Sequence, residues 1–213
     1  MTWRKSIGLC ALLGIVPLAA AANITFQFEA QITSIYSVGF EHWHNAVMGA
    51  TTLTGTYTFA DDLPDTYPPT YQGQYAASGD LVLDIGYYHI VEPGFDIGVS
   101  NLAYDWYHVG RSMSFQPPFD ESVDVGFYAL LLDNHGAPYF ASDDLPLVPP
   151  DLAAFTDDPL DSATFRWTGQ HQWDGGYLSY FELEADITAL TLVPEPAAVW
   201  LLVAAWGVCT RRR

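Results

Sequence analysis

Residues 23–33 read NITFQFEAQIT, and their alternation has no fault. Ile24, Phe26, Phe28, Ala30 and Ile32 face one way, and Thr25, Gln27, Glu29 and Gln31 face the other, the period of a strand with one buried face. Residues 51–59, TTLTGTYTF, repeat the pattern with Leu53, Tyr57 and Phe59 opposite Thr52, Thr54, Thr56 and Thr58. It returns near the far end, where Phe181, Leu183, Ala185, Ile187 and Ala189 alternate with Glu182, Glu184, Asp186 and Thr188. Further strands are predicted at 80–91, 95–102, 112–115, 123–133 and 163–168, and the last runs over 177–193. No stretch of 23–193 sustains a 3.6-residue period, and Gly and Pro recur at short intervals as turns require. The expected class is all-β, an antiparallel β-sandwich of jelly-roll-like build with about eight to ten strands.

A chain of 213 residues accommodates one such domain with appendages. The domain is assigned to 23–193, and its charge is one-sided. Only Arg111 and Arg166 are basic there, against 24 carboxylates, for a formal charge of −22. Such a field repels phosphate backbones and acidic membrane surfaces, which argues against nucleic-acid binding. The density of aromatic and branched side chains still supplies a core. Cys10 and Cys209 both lie in terminal hydrophobic segments, so the domain itself has no disulfide, no thiolate-held zinc and no cysteine nucleophile.

The two ends read as addresses. Arg4 and Lys5 precede an apolar run, Ile7 to Leu18, and Ala20-Ala21-Ala22 supplies small residues at a cleavage site. That pattern is a secretory signal peptide over 1–22, cut after Ala22. At the other end, Val193-Pro194-Glu195-Pro196 is followed by thirteen uncharged residues, Ala197 to Cys209, and then by Arg211, Arg212 and Arg213. The prolines stop regular structure. The apolar segment is expected to form a short transmembrane helix, with the arginines as a positive-inside stop. This tripartite tail, 194–213, resembles the PEP-CTERM sorting signal of Gram-negative bacteria. The resemblance implies handling by an exosortase, a membrane transpeptidase acting at Pro-Glu-Pro, in species that make extracellular polysaccharide. It covers about twenty residues and concerns sorting, not the domain's activity.

Within the domain, sequence signatures of chemistry are few. No nucleophile elbow, zinc-protease motif, dinucleotide fingerprint or phosphate loop occurs. Glu41-His42-Trp43-His44 places two imidazoles at i, i+2, which on a strand would share a face and could share a metal ion. Ala60-Asp61-Asp62-Leu63-Pro64 and Ser142-Asp143-Asp144-Leu145-Pro146 read as Asp-Pro turns, with no cofactor expected, or, alternatively, as weak Ca²⁺ ligands through Asp61, Asp62, Asp143 and Asp144. Trp43, Trp106, Trp167 and Trp173 are candidate sugar-stacking surfaces or core residues. Glu182, Glu184 and Asp186 line one strand face about 6.5 Å apart, near the carboxyl spacing of retaining glycosidases. The plainer reading is the solvated side of an amphipathic strand, where like charges repel unless a cation or Arg166 is near.

The expectation is a non-enzymatic exported protein, held briefly at the inner membrane with its domain in the periplasm. It then reaches the envelope surface or extracellular matrix in a structural or adhesive role beside exopolysaccharide. A carbohydrate-binding module and a glycoside hydrolase using Glu182, Glu184 and Asp186 are the alternatives.

Overall fold

The computed structural model describes residues 22–67, 71–102, 104–115, 123–136, 138–156, 159–172 and 178–194. Eight strands follow in chain order: β1 (Asn23–Val38), β2 (Thr52–Ala60), β3 (Gln72–Ile85), β4 (Tyr88–Asn101), β5 (Asp105–Phe115), β6 (Val123–Asn134), β7 (Ser162–Gln172) and β8 (Leu178–Val193). Each pairs antiparallel with its sequence neighbours, and β8 returns to β1, so the sheet closes into a barrel. The closing seam runs from Thr25 beside Val193 to Val38 beside Tyr180.

The expected sandwich is therefore corrected to an up-and-down barrel. Alternation cannot separate the two, because either architecture buries one face of every strand. What separates them is whether the first strand finds the last. Here β1 is long enough to pair with β2 and β8 together, and register shifts at Glu29/Ala30 and Ile32/Ser34 bend it around the closure. Closure also removes the exposed strand edges a sandwich would have to protect. The expected C-terminal membrane helix falls on residues outside those described. Among the described residues, no helix is long and apolar enough to cross a membrane.

Strand boundaries shift in ways the local chemistry explains. The run 80–91 is two strands, β3 ending at Ile85 and β4 starting at Tyr88. Gly86 takes φ +58° at the first position of the two-residue turn between them, a conformation glycine adopts without steric cost. The prediction at 112–115 caught only the end of β5. A helix the sequence reading missed, α1 (Glu41–Val47), follows β1. Its seven residues are too few to show a 3.6 period.

The barrel interior is filled with rings. Phe26 meets Tyr57 and Phe59 edge-on at 5.4 Å, and Phe28 stacks on Phe165 at 5.7 Å. α1 closes one end, inserting Trp43 against Phe181 at 4.4 Å and Trp167 at 5.6 Å, with Val47 one turn later also buried. At mid-barrel the Tyr57 and Tyr107 hydroxyls share a buried hydrogen bond of 3.1 Å. The long β6–β7 connection covers the opposite end, where Phe155 of a 3-10 turn (Leu152–Phe155) is fully buried. Asp105, 2% exposed, anchors that cover by accepting the Tyr139 and Phe140 backbone N–H groups. Asn134 adds a side-chain bond to the Ala154 carbonyl.

The outer face is polar: Thr25, Gln27 and Glu29 on β1, Thr54 and Thr56 on β2, Asp84 on β3, Arg166 on β7, and Glu182 and Glu184 on β8.

Candidate functional site

The outer faces of β1, β8 and β7 carry a connected array of interacting side chains among the described residues. Strand register explains how it forms. Tyr36 lies opposite Glu182, Val38 opposite Tyr180, and Arg166 opposite Glu184, all on the solvent side. Arg166 Nε donates to Glu184 Oε1 at 3.0 Å, its Nη2 donates to the same oxygen, and Nε lies 3.3 Å from Glu182 Oε1. Tyr180 donates its hydroxyl to Glu182 Oε2 at 2.7 Å. Burial, then the bond to Glu182, pushes the Tyr180 phenol up to about 12. Arg166 is held above its ordinary range, first by its bond to Glu184. The rings of Tyr36 and Tyr180 stand 6.2 Å apart, tilted by 50°. At the other end of the array lies a hollow of about 260 Å³ lined by Thr33, Leu131, Thr164, Arg166, Glu184 and Asp186.

This geometry bears on the carboxylate row. Arg166 relieves the repulsion within it, and both Glu182 oxygens are engaged. Glu184 Oε1 receives two N–H groups from the same guanidinium. The row lies on the outside of the barrel, with Glu184 and Asp186 at the rim of the hollow.

The other sequence candidates are scattered. Trp43, 1% exposed, and Trp167, 2% exposed, are core residues and present no face to a ligand. Trp106 is half-buried on the outside of β5, its ring lying where a Cβ on Gly98 would stand, so one face is already covered. Trp173 lies outside the described residues. His42 and His44 sit on α1 and not on a strand, which turns them about 200° apart around the helix axis and corrects the shared-face reading. Asp61 accepts the Ala22 N–H at 3.0 Å, tying the start of β1 to the end of β2. Asp144 exchanges hydrogen bonds with Ser142, and the Asp143 carbonyl accepts the Tyr75 hydroxyl. Asp62 is exposed at the end of β2. Among the described residues, no group of three or more His, Cys, Asp or Glu is placed to hold a metal ion. Ala22 is exposed before β1, Val193 ends β8 and Pro194 follows it. Glu195, Pro196 and Arg211 to Arg213 lie outside the described residues.

Sequence reasoning missed Tyr36 and Tyr180 as partners. The alternation of 23–33 breaks at its end, because the shift between Ile32 and Ser34 reverses it: even-numbered residues face inward before the shift, and Ile35 does after it. A phase flip followed by a second run, SIYSV, was the available signal. Comparison with known protein families, with curated proteins and with solved structures returns no match.

Proposed function

We propose that this is an exported, non-enzymatic protein of the envelope or extracellular matrix, sorted by an exosortase through Pro194-Glu195-Pro196. The observation that carries the reading is where the barrel stops. β8, the strand that closes the barrel on β1, ends at Val193, directly before the motif, so the strand pairing does not run into the processing site. β1 and β8 are antiparallel, so Asn23 and Val193 emerge at the same end of the barrel. The apolar segment Ala197–Cys209 would hold that end toward the inner membrane, with α1 directed away from it. An interior filled with rings and an acidic, polar exterior support a structural rather than a catalytic role.

The test is intact-mass analysis of the protein recovered from cells with and without an exosortase. The reading expects a surface-recovered species starting at Asn23 and lacking the C-terminal arginines, with the uncut tail retained where the exosortase is deleted. A reporter fused before Val193 that stayed in the cytoplasm would overturn it, as would a tail that is never cut in the exosortase-bearing host.

A further inference from the structure

We infer that the outer face of β1, β8 and β7 is a binding track for a neutral polysaccharide, with Tyr36 and Tyr180 as the stacking floor. Tyr36 is 56% exposed, and Val38 and Leu178 beside this floor are also exposed. Two phenol rings 6.2 Å apart offer apolar faces to the C–H side of sugar rings. The polar groups follow in line along the sheet. Glu182 and Glu184 accept hydrogen bonds from hydroxyls, while Arg166 and Thr164 donate. The hollow at the far end, about 260 Å³, is smaller than the roughly 300–1,000 Å³ of drug-sized sites and suits one sugar ring of a longer chain.

Charge selects the occupant. A domain carrying −22 repels an anionic polymer, a nucleic acid or a second copy of itself. The one cation in the track, Arg166, is already paired with Glu182 and Glu184, so it does not reverse that sign locally. A row of aromatic and hydroxyl-binding groups running across neighbouring strands of the outer face matches a linear, uncharged chain. The extracellular setting proposed above would put such polymers within reach, but the binding itself does not depend on the sorting reading.

The experiment is affinity electrophoresis of the full-length chain, in mild detergent, through gels containing mixed-linkage β-glucan, dextran or alginate. Retardation is expected in at least one neutral gel and not in alginate. Tyr36→Ala should weaken that binding at least tenfold, while Tyr36→Phe, which keeps the ring, should retain it within threefold. No retardation by either neutral polymer, or a Tyr36→Ala variant that binds like the parent, overturns the proposal. So does retardation in alginate alone. Sedimentation showing a dimer lost in Tyr36→Ala would assign the face to a second copy, and capture of a cationic protein in place of glycan would assign it to that partner. Failure here with normal tail processing leaves the sorting reading standing, and the converse result separates the two equally well.

Discussion

Tyr57 and Tyr107 pair their hydroxyls inside the ring-filled core. Their shared bond satisfies two groups that would otherwise be costly to bury. Replacing Tyr57 alone by Phe leaves the Tyr107 hydroxyl without its partner and should cost about 1–3 kcal/mol. The double variant Tyr57→Phe/Tyr107→Phe should lie closer to the parent than the sum of the single changes. Urea unfolding of the four proteins measures the coupling directly. Burial raises both phenols above their ordinary range, and Tyr75 is pushed up to about 12, first by burial and then by Asp65, Asp143 and Asp144. An unfolded phenol ionises near pH 10 while these stay protonated in the barrel, so the unfolded chain binds fewer protons there. The contribution of these phenols to stability should therefore be level below about pH 10 and fall between about 10 and 12. The double Phe variant should show a shallower fall when urea midpoints are compared at pH 8 and pH 11.

Closure of the two barrel ends belongs to single elements. α1 acts as a plug, and Trp43 is its contact with Phe181 and Trp167. Trp43→Ala should destabilise by about 3–5 kcal/mol, the range for emptying a buried large aromatic site, and lower the urea midpoint accordingly. At the opposite end, Asp105→Ala leaves the Tyr139 and Phe140 N–H groups without their acceptor. A cost of about 1–3 kcal/mol per orphaned group is expected. Limited proteolysis should then cut within 138–156 faster than in the parent, while the strands stay protected. Neither device was legible in the sequence. α1 is too short for a periodic signal, and an Asp before Trp106 reads as a surface carboxylate until the β6–β7 segment is folded over it. The strands were legible because each needs only its own alternation. β5 and the first half of β3 were not, because Trp106 and His108 on the outside, and small residues at 76–79, blur the contrast between faces.

At the scale of the whole molecule, the charge is the dominant global property. Self-repulsion among 24 carboxylates with two arginines opposes compactness, and salt screens it. Moving from 10 mM to 500 mM NaCl should raise the thermal midpoint by about 2–4 °C, equivalent to about 1 kcal/mol for a domain of this size. An unchanged or lowered midpoint would show that paired arrays such as Glu182–Arg166–Glu184 already offset the repulsion. The sequence by itself determined the all-β class, the acidic charge, the cysteine-free core and the end of the last strand at Val193, since each rests on composition or on a pattern within one strand. Only the tertiary structure decided that eight strands close into a barrel, that Trp43 and Trp167 fill it, and that Tyr36 joins Tyr180 and Arg166 outside. Those facts depend on which strand lies beside which, and the meeting of β1 with β8 is a contact between residues some 150 positions apart that no local pattern encodes.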